Sequence, residues 1–412
     1  MQKNTSIKVN MWGMCIGELY WCPDVHNTLF SFSKSYLKNN LNVFPVIADR
    51  KSAIINNTFY GEINPIHKLL PSFLSESLSD SWEREYIVTQ YKDSKRLSQE
   101  TSPIEKLAYI RNRCLGALEY YIDDSLNYDN DLNWFNQIAE EYEKHLREIR
   151  IPSLFKTDLE TICSFGTSSV GLRPKVLLAL SKKTGEVRSG QIEQDINYEH
   201  YILKIGEPKN CIAEKEISYY QIALNAGIKM MPSYLINIDG EGHFITKRYD
   251  RANGCKIHTL SFAAIAPRSY SYEDLFKVAV SLKLAREDII ELYRRLLFNI
   301  VTHNVDDHAR NFSFIMDAKG NWSLAPAYDI TYPITEHNNH NMTLNGKNER
   351  FRMDDILSIA YSCNILNHEE IYHQVLSSVS NLNDILRKNG VSKKLSDNIC
   401  KRVSENIRCL QS

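Results

Sequence analysis

The sequence predicts an α+β chain built as several subdomains, β-rich in its earlier parts and mostly helical toward its end. Three observations carry this expectation. Strand-like runs punctuated by Gly and Pro fill much of the first hundred residues and recur between residues 175 and 251. Apolar residues at steps of three and four take over beyond residue 285. Finally, 412 residues exceed what one ordinary core serves, so two or three subdomains are expected. We read the chain as four blocks, residues 1–120, 121–150, 151–251 and 252–412.

In the first block, residues 7–12, 15–21 and 28–32 read as short strands broken by Gly13 and Pro23, which suggests a small curled sheet, and helical stretches follow over residues 69–91. An acid-rich segment, 123–131, reads as an exposed connector before a helix whose apolar stripe is Phe135, Ile138, Tyr142, Leu146 and Ile149. In the third block, the Gly- and Ser-bearing segment 166–175 opens onto the apolar run 176–180, and the turn at Lys183, Thr184 and Gly185 closes a hairpin. A strand at 201–206 puts Tyr201, Leu203 and Ile205 on one face and Lys204 on the other. The helix predicted at 214–226 carries Glu214 and Glu216 in its opening turn and stops at Gly227, and two strands then flank Asp239 and Gly240.

In the last block, Ile289, Leu292, Leu296 and Ile300 mark a helix with Asp288 in its first turn, ending near His303. Phe312 and Phe314, answered by Trp322 and Leu324 around Lys319, Gly320 and Asn321, predict a β-hairpin. Residues 338–348 read as a mobile polar loop, and the remainder as helical with a stop at Asn389 and Gly390 and a final helix over 392–410. Lys393, Lys394, Lys401 and Arg402 read as its solvated face.

Composition narrows the function classes. Hydrophobic residues at 43% and charged residues at 24% describe a folded globular chain, and no stretch approaches the roughly 18 uninterrupted apolar residues of a membrane span. The polar start lacks a signal-peptide core, so a cytoplasmic location without membrane partners is expected. Nine Cys, an odd number without close spacing pairs, suggest reduced thiols rather than a structural zinc site. A net charge of −1 gives no global attraction to nucleic acid, so any DNA contact would need a local patch or a partner.

The most pointed chemistry lies at residues 303–312, which read His-Asn-Val-Asp-Asp-His-Ala-Arg-Asn-Phe, answered by Ala325, Pro326, Ala327, Tyr328 and Asp329. Phosphoryl transfer from ATP requires hard oxygen ligands for Mg²⁺ and a base for the attacking hydroxyl. Asp306 suits the base, while Asn311 and Asp329, returned by the hairpin, suit the metal. Two other readings stand beside this one. Asp306 and Asp307 are also what a solvated loop collects for turn chemistry. Alternatively, His303, Asp306, Asp307 and His308 could ligate Zn²⁺ or Fe in a metal-dependent hydrolase.

Residues 304–312, together with Pro326, Ala327, Tyr328, Asp329 and Ile330, resemble the catalytic and metal-binding loops of the HipA family of bacterial toxin serine/threonine kinases. Arg310 stands where the family usually has Lys, and Asp307 where Gly is frequent. The resemblance implies a two-lobed protein-kinase-like fold with a small N-terminal β-rich subdomain and a mostly helical C-terminal lobe, with ATP bound between the lobes and Mg²⁺ held by Asn311 and Asp329. Segment 166–175 is similar to the family's phosphate loop, of pattern Ser-x-x-Gly-x-x-x-Lys. Carried across, it makes Ser168, Ser169, Val170 and Gly171 phosphate contacts, and Ser168 the site of inactivating autophosphorylation, with Ser169 the alternative. Lys204 would meet the α- and β-phosphates, and Glu216 aligns with the helix acid that orients it.

Residues 247–251 resemble the linker between lobes, which makes the main chains of Lys247 and Tyr249 adenine contacts, Lys247 replacing an acid common in the family. His308 joins the nucleotide-binding set, bracing the loop with Arg310, and Asp307 receives no role. The first hundred residues look like the family's N-terminal subdomain, with 115–120 similar to its closing segment. By the same resemblance the partners are a Ser- or Thr-bearing, translation-related protein substrate and a small helix-turn-helix antitoxin, with DNA reached only through that antitoxin. A small-molecule or lipid phosphotransferase would use the same metal loop.

Overall fold

Alternation in the first run, with Ile7, Val9 and Met11 buried, makes β1 (Ser6–Met11) the inner strand of an antiparallel sheet in the computed structural model, which describes residues 6–47, 57–64, 67–78, 102–122, 175–190, 196–334 and 339–412. Its partners are β2 (Met14–Cys22), β3 (Asn27–Phe32), β4 (Thr58–Tyr60) and β5 (Leu118–Ile122), in the order β4-β3-β2-β1-β5. Trp12 and Gly13, both at positive φ (50° and 77°), form the tight turn between β1 and β2. A side chain at Gly17 would meet the Ser31 carbonyl at 2.4 Å, so only glycine lets β2 and β3 approach there. Phe30, Phe32, Phe44, Phe59 and Phe73 pack edge-on or tilted under this sheet, with Phe44 and Phe73 ring centroids 4.3 Å apart.

The helix expected from residue 69 is, among the described residues, one turn, Ser72–Ser75. Lys68 and Leu69 sit at positive φ (55° and 60°), which no helix tolerates. At its end, Ser75 Oγ donates to the Ser72 carbonyl (2.8 Å), a bond that competes with the helical ladder, and just beyond it Ser77 Oγ meets Tyr120 Oη (2.6 Å). Ahead of β5 stands α1 (Pro103–Ile110), absent from the sequence reading, although its capping box of Ser102 and Glu105 with Pro103 at the first helical position is a legible start signal. The rest of the helical reading to residue 91, the acidic connector, the helix over 135–149 and Ser168, Ser169, Val170 and Gly171 lie outside the described residues.

The chain divides into two compact units, the first comprising Met1–Ile205, Lys247–Leu260 and Met316–Asn321, the second Gly206–Thr246, Ser261–Ile315 and Trp322–Ser412. Besides the N-terminal sheet, the first unit holds β6 (Lys175–Ser181), paired antiparallel with β7 (Val187–Ser189) and β8 (Tyr198–Lys204). Val176, Leu177, Leu178 and Ala179 are buried, as the apolar run predicts. Its linker continues through β11 (Arg251–Ala252), β12 (Cys255–Lys256) and β13 (His258–Ser261). Asp250, 1% exposed, accepts from Arg248 Nε (2.8 Å) and Nη2 (2.7 Å), Arg251 Nη1 (2.7 Å) and the Gly116 amide (2.8 Å). Arg251 also donates to the Cys114 and Gly116 carbonyls, so one carboxylate ties the linker to the turn before β5. Burial alone would raise the Asp250 pKa, but the two guanidinium groups overcome it and hold the carboxyl well below its usual range.

The second unit is mostly helical. It opens with α2 (Ile212–Asn225), which starts two residues before Glu214 and ends ahead of Gly227 at φ 79°. Next come β9 (Ser233–Ile238) and β10 (Glu241–Lys247), paired around Asp239 and Gly240, both at positive φ. α3 (Tyr272–Ser281) is capped by Ser271, and α4 (Arg286–Thr302) is the buried axis, with Leu292, Tyr293, Leu296, Leu297, Phe298 and Val301 all inside. The hairpin of β14 (Ser313–Met316) and β15 (Trp322–Leu324) follows, its end tied to the first turn of α4 where the Leu324 amide donates to Asp288 (3.1 Å). The fold closes with α5 (Met353–Ser362), α6 (His368–Ser378), α7 (Leu382–Lys388) and α8 (Lys393–Gln411), of which α6 and α8 pack on α4. Among the described residues no helix is long and apolar enough to cross a membrane.

Candidate active site

α4 ends because His303 turns left-handed (φ 58°), after which the Asn304 amide bonds back to the Asn299 carbonyl at 2.9 Å. The chain then runs without regular structure until the 3₁₀ turn Ala309–Asn311, for which His308 is the N-cap position. Side chains hold this loop. Asn311 Nδ2 donates to the Asp306 carbonyl (2.8 Å), which commits the amide nitrogen and leaves the amide oxygen as the free end of that side chain. Asp306 is exposed, and its Oδ1 accepts from Asn341 Nδ2 at 3.2 Å.

Asp307 points the other way. It is 1% exposed and accepts from Tyr272 Oη (2.6 Å), His340 Nδ1 (2.8 Å) and the amides of Asn341 (2.9 Å) and Met342 (3.3 Å). Behind it the bonds run in one direction through buried groups. The Thr331 amide donates to Asn304 Oδ1, Asn304 Nδ2 to Asn299 Oδ1 (2.9 Å), Asn299 Nδ2 to Tyr272 Oη (3.1 Å), and Tyr272 to Asp307. Burial, reinforced by the Asp307 charge, holds the Tyr272 hydroxyl far above its ordinary pKa, so it remains a donor. The expectation that Asp307 has no role is therefore corrected: it is the loop's internal anchor. The expected mobile loop at 338–348 is corrected too, since His340, Asn341 and Met342 are all bonded to Asp307.

Asp329 returns on the far end of the hairpin. Tyr328 Oη donates to the Arg310 carbonyl (2.6 Å) and accepts from Ser313 Oγ (2.5 Å), which sets the residue before Asp329 against the loop beside Asn311. Asp329 itself is at φ 52°, a left-handed conformation that Asp tolerates. From behind, Arg295 Nη2 donates to the Ala325 carbonyl (2.9 Å) while Arg295 Nε bonds Glu291 (3.0 Å), and Glu291 also takes the Lys229 amide (2.9 Å). The Ala327 amide closes the circuit on the Lys229 carbonyl (2.8 Å). The amide oxygen of Asn311 and the carboxylate of Asp329 are both hard oxygen donors, the donor type that small divalent cations take.

The other candidates are placed separately. Lys204 lies half-buried at the end of β8 in the first unit, in register with Lys175 of β6, whereas Glu216 is buried on α2 in the second unit. Lys247 Nζ pairs with Glu199 (2.6 Å), a hydrogen bond that holds the Glu199 carboxyl below its ordinary pKa, and Tyr249 Oη meets Thr259 Oγ1 at 3.3 Å. His308 has a buried Nδ1 with no hydrogen-bond partner among the described residues. For the hydrolase reading the geometry is unfavourable. His303 lies against Tyr332 and Asn406, His340 is bound to Asp307, and among the described residues no three His, Cys, Asp or Glu side chains are grouped to hold a metal. Sequence reasoning missed Tyr272, His340 and Asn341, whose bonds to Asp307 cross 35, 33 and 34 positions and leave no linear motif, and also Asn299, whose partner Asn304 stands only five positions on.

The site can be set beside known proteins. The HipA N-terminal domain profile matches residues 7–121 and the HipA-like C-terminal domain profile residues 167–386. Two Sinorhizobium fredii proteins provisionally named as kinases, Y4mE and Y4dM, are 28% and 27% identical over 134 and 146 residues. These matches cover 28% and 30% of this chain and 31% and 36% of the relatives, so the similarity spans about a third of each curated protein. Among solved structures, HipA of Shewanella oneidensis, determined with HipB and operator DNA, is similar with a TM-score of 0.65 over 98% of this chain and 96% of that one. At 14% identity that likeness speaks for the fold. With one profile on the N-terminal sheet and the other spanning more than half of the sequence, the Asp306 loop included, this chain belongs to the HipA family.

Proposed function

We propose that the chain is the toxin kinase of a toxin–antitoxin pair, transferring the γ-phosphoryl group of ATP to a Ser or Thr hydroxyl of a protein substrate. The observation that carries this reading is Asp306: an exposed carboxylate on a loop that is otherwise pinned from behind, with the amide of Asn311 bonded to its own backbone. A braced loop presenting an exposed acid is suited to general-base work, because the base must meet an incoming hydroxyl in a fixed geometry. Asp306 accepts the proton of the acceptor hydroxyl as the new O–P bond forms and the bond from the γ-phosphorus to the bridging oxygen breaks, releasing ADP. Lys204 contacts the donor phosphates, Glu216 orients that lysine, and the main chains of Lys247 and Tyr249 meet the adenine. Ser168, Ser169, Val170 and Gly171 cover the phosphates, and His308 braces the nucleotide side of the loop. Asn311 and Asp329 would hold Mg²⁺, which when bound neutralises charge on the phosphates.

The family assignment supports the further parts of the reading. Autophosphorylation at Ser168, or at Ser169, would place a doubly charged group on the phosphate loop and switch the kinase off. The Shewanella complex, with its HipB and operator DNA, supports an antitoxin as partner; the proposed partner is a small helix-turn-helix protein, with DNA reached through it. A cytoplasmic, translation-related protein is the proposed substrate class.

The decisive experiment replaces Asp306 by Asn. Incorporation of labelled phosphate from ATP should fall by about three orders of magnitude, within the range general-base catalysis supplies, while the melting curve and its upward shift with Mg²⁺ and ATP persist. Wild-type incorporation in that variant would overturn the assignment. Mass spectrometry should find phosphate on Ser168 or Ser169 in the wild type and on neither in the variant.

A further inference from the structure

Resting on the kinase reading, we propose that Asn341 is a positioning residue for phosphoryl transfer: its side-chain amide fixes the carboxylate of Asp306, and the buried carboxylate of Asp307 holds Asn341 within reach. Both amide hydrogens of Asn341 are committed to the catalytic segment, Nδ2 donating to the Val305 carbonyl (3.0 Å) and to Asp306 Oδ1 (3.2 Å). Its backbone amide donates to the Val305 carbonyl (3.1 Å) and to Asp307 Oδ1 (2.9 Å). One residue thus grips three consecutive loop residues. Asn341 is itself exposed, so its side chain fills no core; its polar atoms are what it contributes.

The chemistry needs such a grip. The terminal torsion of an aspartate is broad and soft, so an exposed carboxylate samples many orientations that cannot take a proton in line with phosphoryl transfer. With Oδ1 engaged by Asn341, the free oxygen of Asp306 is Oδ2, and the acceptor hydroxyl meets one lone-pair direction instead of several. Asn is the residue type that does this here: it carries two donors on a short planar group, while Asp at the same position would have none and would set a second negative charge beside the base. Asp307 supplies the leverage by taking the amides of Asn341 and Met342 on one oxygen and Tyr272 and His340 on the other.

The test uses the full chain, with Mg²⁺ and γ-labelled ATP, reading phosphate incorporated into the chain itself. Three variants are compared with wild type: Asn341→Ala, Asn341→Asp and the reference Asp306→Asn. Asn341→Ala should lower the rate at saturating ATP about tenfold to a hundredfold, the cost of loosening a reacting group, with KM for ATP within about twofold and Tm within about 2 °C. Asn341→Asp, identical in shape, should lose at least as much. A wild-type rate in both Asn341 variants, with Asp306→Asn inactive, overturns the positioning role and leaves the kinase reading standing. A rate loss that only follows a fall in Tm, or a rise in KM with kcat unchanged, also overturns it. Activity in Asp306→Asn equal to wild type takes down the kinase reading and this proposal together.

Discussion

Replacing Asp307 by Ala removes the acceptor on which four donors converge, and the cost can be worked from their surroundings. Tyr272 and His340 are buried and lose a charged acceptor at 2.6 and 2.8 Å, and the buried Met342 amide loses a longer bond at 3.3 Å. Hydrogen bonds to a charged group contribute about 1.5–3 kcal/mol each, and a buried donor left unsatisfied costs about 1–3 kcal/mol. The Asn341 amide belongs to an exposed residue and can turn to water, so it adds little. Water entering the vacated space offsets part of the remainder, which leaves an expected destabilisation of about 3–5 kcal/mol. For a domain of roughly 200 residues each kcal/mol moves Tm by about 2–4 °C, so a fall of about 10 °C is expected. Thermal unfolding followed by circular dichroism, with urea midpoints as a second measure, reads this directly. A Tm within about 2 °C of wild type would refute the view that Asp307 anchors the loop.

Two further outcomes follow from the first unit. Asp250→Ala leaves the buried Arg248 guanidinium without its bidentate partner and should destabilise by about 3–5 kcal/mol, read as a shift of the urea midpoint; an unchanged midpoint would contradict the clamp. His258 donates through Nε2 to the Val43 carbonyl (3.0 Å), and burial pushes its pKa down to about 4 from 6.5. Between those values the unfolded chain binds the extra proton, so stability should fall as pH is lowered from about 6.5 toward 4, by at most ~1.4 kcal/mol per pH unit from this side chain. Urea midpoints of His258→Phe across that window should show a shallower slope than wild type, and an identical slope would remove His258 as a cause.

What was legible in the sequence were the features set by short-range periodicity and turn chemistry. Leu292, Leu296 and Ile300 place α4, and His303 ends it where the pattern does. Phe314 and Leu324 mark the hairpin, and Asp239 with Gly240 gives the turn between β9 and β10. That Asp306 and Asn311 stand together was legible, since only five residues separate them. Asp307 was misread because exposure cannot be told from residue type: two adjacent aspartates leave the chain in opposite directions, one to solvent and one to Tyr272. Residues 339–348 looked mobile because they are polar, yet polarity there serves the loop, with His340 and Asn341 meeting partners more than thirty positions upstream. The later start of the helix, at Ser72, has the converse origin, since positive φ at Lys68 and Leu69 is a tertiary choice that helix propensity does not register.

Anchoring through side chains has a consequence for how the site would look to a solvent proton. The amides of Asn341 and Met342 lie outside every strand and helix, where exchange with deuterium is ordinarily fast, yet both are donated to a carboxylate that is itself sealed from water. Their exchange is governed by the opening of the Asp307 cluster and not by fraying of a local segment. In a deuteration map they should therefore group with the interior of the helical unit, a patch of slow exchange in what is otherwise coil.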